Sequence, residues 1–212
     1  TVASASGNSP VSGAVSASAT GTAASGISAA TTNGTATGTS TFSDVLQSST
    51  SGNGSGATFT VSTDGSGAYS LSGIGSSGIG YQVGDTITIS GARLGGADGA
   101  NDLTLTVAAL TPANYSVSQS STTGSGSGAV FALESNSAGN YSVSAISTLG
   151  ENYSLSDQII IAGSNIGGTN TQNDATLTLT SVGATSFTNV TQATTSGNGT
   201  GAIFTISIDG VG

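Results

Sequence analysis

Along most of this chain, large apolar residues alternate with serine and threonine. Phe59 and Val61 are separated by a threonine, and residues 103–107 read Leu-Thr-Leu-Thr-Val. A period of two residues is typical of a β-strand with one buried face. No stretch has the periodicity of a helix, and serine, threonine and glycine are poor helix formers. The pattern therefore predicts an all-β protein.

The alternating pattern recurs in units of about 72 residues. The hexapeptide at residues 54–59 returns in similar form at 126–131 and again at 199–204. Residues 54–110 align with residues 126–182 without a gap, and 23 of the 57 positions are identical. Self-similarity at a fixed period predicts structural modules arranged in series.

Each of the two longer copies contains five predicted strands. In the first copy these are residues 42–47, 57–63, 68–74, 86–90 and 103–108. In the second copy they are residues 115–119, 129–134, 140–146, 158–162 and 175–182. Five short strands in a unit of this size predict a small β-sandwich or a partly open barrel. Such a module has a thin core, so we expect further burial between modules or between chains, by trimeric intertwining or by helical polymerisation.

The repeats divide the chain into four segments. Residues 41–110 and 111–183 are the first and second β-repeats, and residues 184–212 are an incomplete third. Residues 1–40 consist almost wholly of serine, alanine, threonine, glycine and valine, which predicts a flexible linker or a small β-module of another type. The unfinished third copy leads us to expect that the array continues past Gly212 or is completed by another chain.

The composition excludes several classes of function. One basic residue, Arg93, stands against ten acidic residues, and the net charge of −9 argues against partners that carry phosphate groups, such as nucleic acids and anionic membranes. No apolar run is long enough for membrane insertion. Histidine and cysteine are absent, so the usual general base and thiolate nucleophile are missing. We therefore expect a protein that is not an enzyme.

Oxygen-bearing side chains cluster at the same place in the two longer copies. The clusters are Asp98, Asn101 and Asp102 in the first copy, and Asn170, Asn173 and Asp174 in the second. Calcium takes six to eight oxygen ligands, which makes Asp98, Asp102 and Asp174 weak candidates for a calcium site. The spacing matches neither an EF-hand loop nor a calcium-binding nonapeptide repeat, so hydrogen bonding within the loop is the favoured interpretation.

Two tyrosines at equivalent positions and the single arginine are weak candidates for ligand binding. Tyr81 and Tyr153 are either core residues with a satisfied hydroxyl or exposed platforms on which a glycan stacks. The loops around Tyr81, Arg93 and Asp98 are the places where a host receptor or glycan would be recognised. Asp85 and Asp157, four residues after the tyrosines, are expected to bind nearby backbone amides in a turn.

Two blocks of residues carry a resemblance to a known group of proteins. Residues 81–89 and 94–107, with their more divergent copies at 153–161 and 166–179, are similar to tandem β-repeats in virion structural and tail-fibre-like proteins of marine tailed phages, especially cyanophages. Related repeats occur in large bacterial surface proteins. The resemblance covers residues 41–212 and implies an exported or virion-borne structural module without catalytic residues.

The sequence thus predicts a structural segment of an extracellular or virion fibre that attaches to surfaces. Identical chains would associate into a homo-oligomer or a filament, and repeated surfaces would multiply weak contacts. A receptor- or glycan-binding module and a calcium-stiffened adhesin stalk are the alternatives. All three place the protein outside the cell, on the cell surface or in a virion.

Overall fold

The computed structural model describes residues 14–208, in which all regular secondary structure is β except for two short 3-10 helices. The predicted all-β class is confirmed. Two strands, β1 (Ala14–Thr20) and β2 (Ile27–Asn33), precede the repeats. No helix in the described part of the chain is long and apolar enough to cross a membrane.

Each longer repeat forms six strands and one 3-10 helix. The first contains β3 (Thr39–Leu46), β4 (Ser49–Thr50), β5 (Ser55–Asp64), β6 (Tyr69–Ile79), β7 (Thr86–Ile89), a 3-10 helix (Gly91–Leu94) and β8 (Leu103–Leu110). The second contains β9 (Ala113–Ser118), β10 (Ser121–Thr122), β11 (Ser127–Ser135), β12 (Tyr141–Glu151), β13 (Gln158–Ile161), a 3-10 helix (Gly163–Asn165) and β14 (Ala175–Val182). The third repeat begins with the hairpin of β15 (Thr185–Thr191) and β16 (Ile203–Ile208).

The two N-terminal strands are edge strands in sheets that the repeats form. The first repeat with β2, called module 1, has a three-stranded sheet of order β3-β5-β6 and a four-stranded sheet of order β2-β8-β7-β4. The second repeat with β1, called module 2, has the corresponding sheets β9-β11-β12 and β1-β14-β13-β10. Both modules are sandwiches whose sheets share one core.

The N-terminal region therefore differs from both interpretations of its sequence. A linker or a separate β-module at residues 1–40 was predicted, but residues 14–20 and 27–33 are edge strands of modules 2 and 1. Long-range pairing decides this, and a segment of small residues carries no local sign of its partner. Residues 1–13 and 209–212 lie outside the described part of the chain.

The predicted strands of the repeats match the structure except at their ends. The second and third strands are longer than predicted, and β6 and β12 continue to Ile79 and Glu151. Register shifts interrupt the pairing of β5 with β6 and of β11 with β12, and a bulge breaks the two-residue period on which the prediction depended. The two-residue strands β4 and β10 were not predicted, because they are too short to show a period.

The core of each module is made by side chains that alternate along the strands. Phe59 on β5, Ile87 on β7 and Leu105 on β8 have no exposed surface, and their counterparts in module 2 are equally buried. The hairpin of the third repeat is different. Phe204, which occupies the position of Phe59 and Phe131, is 48% exposed, because no second sheet covers it in the described residues.

This difference predicts unequal effects of the same substitution. Phe131→Ala removes a fully buried ring and leaves a cavity, so the free energy of unfolding should fall by about 3–5 kcal/mol. Phe204→Ala is the matched control and should cost about 1 kcal/mol, because its ring is half exposed already. Urea denaturation followed by circular dichroism measures both, and equal losses would contradict the assignment of the core.

Candidate functional site

The feature that distinguishes this fold is the N-terminal segment of residues 14–36, called the strap. Its first strand, β1, pairs antiparallel with β14, and its second strand, β2, pairs antiparallel with β8. Ala17, Ala19 and Ala30 pack against the module cores, and Ile27 is fully buried. One continuous segment thus supplies an edge strand to two consecutive modules.

The strap has a repeat of its own. Gly-Thr-Ala occurs at residues 21–23 and again at residues 34–36, a separation of 13 positions. Pairing follows the same spacing: Ala17 lies opposite Leu179 on β14, and Ala30 lies opposite Val107 on β8. Since residues 107 and 179 are 72 positions apart, one strap unit of 13 residues serves each module of 72 residues.

A glycine at the end of each strap strand allows the chain to approach the module closely. Gly21 and Gly34 have φ angles of 140° and 147°, which the backbone of residues with a side chain rarely adopts. A Cβ atom would lie 2.5 Å from the carbonyl oxygen of Asp174 at Gly21, and 2.4 Å from that of Asp102 at Gly34. The narrow space between the strap and the module therefore requires glycine at both positions.

An asparagine from the module binds the strap directly after each glycine. Asn173 is 2% exposed and donates from Nδ2 to the carbonyl of Thr22 at 3.0 Å, while its Oδ1 accepts from the amide of Thr169 at 2.9 Å. In module 1, Asn101 makes the same 3.0 Å bond to the carbonyl of Thr35. These asparagines act as latches that bind backbone and not side chains of the strap.

The alanine that follows completes the contact. The amide of Ala23 donates to the carbonyl of Gly139 at 2.8 Å, and the amide of Ala36 donates to the carbonyl of Gly67 at 3.0 Å. Ala23 has no exposed surface and Ala36 is 6% exposed. The small methyl groups fit into the module cores, so each Gly-Thr-Ala unit is recognised through its backbone and its lack of bulk.

Between the two strap strands, residues 23–26 bind the junction of the modules. Ser25 and Tyr81 exchange backbone hydrogen bonds of 2.9 Å in both directions, which ties the strap to module 1. The amide of Thr111, in the short connection from β8 to β9, donates to the carbonyl of Gly26 at 2.7 Å. Ala23 meanwhile binds module 2. This segment, called the clasp, holds both modules.

A second contact between the modules is made by amide side chains. Asn53 of module 1 donates from Nδ2 to Oε1 of Gln172 in module 2 at 2.9 Å. Gln172 in turn donates from Nε2 to Oε1 of Gln82 in module 1 at 3.0 Å. All three side chains are neutral, so the junction depends little on salt.

The predicted acidic clusters are engaged in loop hydrogen bonds. Oδ1 of Asp174 accepts from the amides of Gly163 and Thr171, both at 2.8 Å. Oδ1 of Asp102 accepts from the amides of Gly91 at 2.8 Å and Gly99 at 2.9 Å. These bonds shape the loops that carry the asparagine latches. Within residues 14–208, no group of three or more acidic side chains is arranged to hold a metal ion.

Asp98 has a similar local role in module 1. Its Oδ1 accepts from the hydroxyl of Ser90 and from the amide of Ala92, the latter at 3.1 Å. The side-chain bond from Ser90, followed by the backbone bond from Ala92, holds the pKa of Asp98 below its ordinary value. The nearby Arg93 is exposed and donates from Nη1 to the carbonyl of Leu46 at 3.0 Å.

Tyr81 and Tyr153 lie in the cores without exposed surface. Each hydroxyl accepts a 3.3 Å bond from a backbone amide, that of Ala57 or Ala129, and donates to a glutamine side chain. Each ring also packs against a glycine, Gly54 in module 1, where a Cβ atom would lie 2.1 Å from the ring. Neither tyrosine is placed to stack on a glycan.

The aspartates beside these tyrosines shape the following turn. Oδ2 of Asp85 accepts from the amide of Gln82 at 2.9 Å, and Oδ2 of Asp157 accepts from the amide of Ser154 at the same distance. The expected turn role is what the structure contains. The strap residues were not singled out in the sequence, although the 13-residue spacing of the two Gly-Thr-Ala units was a readable signal.

No protein-family model, characterised protein or solved structure matches this chain.

The glycine of the strap provides one test. Gly21→Ala places a methyl group against the backbone of Asp174 and strains φ, so β1 should separate from β14 and its amides should lose at least about tenfold of their hydrogen-exchange protection. Gly197→Ala is the matched control, because nothing lies within 4 Å of that position and protection should not change. Unchanged protection of β1 in Gly21→Ala would contradict the assigned contact.

The buried tyrosines provide a second test, through pH. Burial makes the largest contribution to raising the pKa of four tyrosines above 10.0. These are Tyr69, Tyr81, Tyr141 and Tyr153. The folded state then holds these protons more tightly than the unfolded state, so their contribution to stability is complete below pH 10 and is lost as the pH rises above it.

We expect the melting temperature to fall as the pH rises from 10 to 12. The chain contains no cysteine, and its one basic residue is an arginine, so few other groups titrate there. The Tyr81→Phe/Tyr153→Phe double variant should show a smaller fall relative to its own value at pH 8. An identical pH dependence in wild type and variant would contradict the role of these phenols.

Proposed function

We propose that this chain is a structural segment of an extracellular or virion fibre built from tandem β-modules, with a role in surface attachment. The observation that carries the proposal is the strap, which supplies an edge strand to each of two modules and binds their junction through the clasp. A segment of this kind transmits load from one module to the next through backbone hydrogen bonds.

The composition supports the same proposal. Only 5% of residues are charged, so chains can pack closely with little repulsion between them, while the net charge of −9 opposes unspecific collapse. The carboxylates of Asp98, Asp102 and Asp174 accept hydrogen bonds from backbone amides and thereby shape loops. Their role is structural, and we infer no catalytic one.

Glycan recognition and calcium stiffening have less support. Tyr81 and Tyr153, the aromatic residues that favoured a glycan site, are in the cores. Arg93 is exposed but bonded to the backbone of Leu46. A receptor site on other surfaces and a calcium-dependent stalk remain alternatives that experiment separates from the fibre.

Electron microscopy of negatively stained protein tests the proposal. We expect filaments or rods at high protein concentration, and the same particles in buffer with a calcium chelator. Monodisperse globular monomers at every concentration, together with binding on a glycan array, would replace the fibre by a recognition module. A melting temperature that falls in chelator would favour the calcium-stiffened stalk.

A further inference from the structure

We propose that strand β1 of one chain completes module 2 of a second copy, so that copies join head to tail. The partner is another molecule of this chain, and its docking surface is the groove formed by β14, the loop of Asn173 and the start of β12. This inference rests on the proposed fibre and names the contact that would build it.

The first step is that β1 packs against module 2, whereas the chain connects it covalently to module 1. Its backbone pairs with β14, and Thr20 and Thr176, which share a hydrogen bond, are 156 positions apart. Towards its C-terminal end, however, β1 leads through the clasp into β2, which is paired with β8 of module 1. Module 1 therefore carries a strand that module 2 needs.

The second step concerns the connection that keeps module 2 close to the strap of its own chain, because this connection is short. The only covalent connection between the end of β8 and the start of β9 is Thr111 and Pro112. If this connection opens, module 2 can leave its own strap and bind the strap of a neighbour with the same hydrogen bonds. Short connections of this kind favour exchange of identical elements between copies.

The third step is that recognition depends on features that every copy has. The groove accepts a backbone, a glycine at Gly21 and the methyl group of Ala23, and Asn173 binds a carbonyl. The interacting surfaces on the two partners differ, one being the strap and the other the groove. A single contact of this kind is heterologous, so it continues into a linear assembly unless the copies close into a ring, and the smallest such ring is a dimer in which two copies exchange β1 reciprocally.

The protein concentration decides whether β1 binds module 2 of its own chain or module 2 of a second copy. Within one chain the short connection gives the groove an effective strap concentration in the millimolar range. Exchange is therefore favoured when chains are concentrated while they fold, because β1 and β14 are distant in sequence and their pairing is a late event. We expect monomers after refolding at low concentration and chains of subunits after refolding at high concentration.

Cysteine pairs on separate chains test the exchange directly, since the protein has no cysteine of its own. Ser18 lies opposite Thr178 across β1 and β14, and Thr31 lies opposite Thr106 across β2 and β8. Chains with Ser18→Cys are unfolded, mixed with chains with Thr178→Cys, and refolded together at high concentration under oxidising conditions. Thr31→Cys and Thr106→Cys on separate chains form the matched control pair.

The proposal expects an interchain disulfide between positions 18 and 178, identified by peptide mass spectrometry, and none between positions 31 and 106. Absence of the first link at every concentration overturns it. Formation of both links also overturns it, because the whole strap would then exchange and the connection at Thr111 and Pro112 would not be the hinge. Each single-cysteine chain refolded alone at low concentration should give a monomer with the wild-type circular dichroism spectrum.

A variant of the connection gives a second measurement. Insertion of six glycine and serine residues between Thr111 and Pro112 relaxes the connection and should shift refolded material towards monomers, as measured by light scattering. An unchanged or larger oligomer fraction contradicts the hinge. Filaments without the 18–178 link would leave the proposed fibre intact and reject this contact, whereas linked oligomers that never form filaments would do the reverse.

Discussion

The antiparallel pairing of β1 with β14 is the interaction on which the rest of the structure depends. It adds a fourth strand to a sheet whose own repeat supplies only three, and it brings alanine side chains against a core that is thin without them. It also fixes the clasp, because Ala23 lies three residues after the end of the strand and its amide donates to the carbonyl of Gly139. The same arrangement in module 1 makes the strap a common edge for both sandwiches.

The physical basis of this pairing is recognition of backbone by backbone. Gly21 permits close approach, Asn173 binds a carbonyl, and the ladder of strand hydrogen bonds supplies most of the remaining contacts. None of these interactions uses charge, which suits a chain with so few charged residues. The polar loops are there to hold the latches in place: Asp174 shapes the loop that presents Asn173. The carboxylate of Asp174, which was a candidate calcium ligand, therefore stabilises a loop.

An edge strand supplied from a distance also determines how modules behave as a series. Module 2 is completed by a strand that module 1 carries, so module 2 separated from the strap would expose both a sheet edge and part of its core. Part of the stability of module 2 therefore depends on the strap that module 1 carries.

The sequence by itself determined the local structure of the repeats. Alternation of Phe59, Val61 and their counterparts specified strands and their buried faces, because a two-residue period leaves no other regular structure that buries one set of side chains. It left the strap and the loops undecided. A run of alanine and serine is compatible with a linker and with a strand, and the spacing around Asp102 and Asn173 favoured loop hydrogen bonding over a calcium site without identifying the partners. Only the tertiary structure chose between these, since partners in distant parts of the chain decide whether an edge is paired and where a side-chain oxygen is directed.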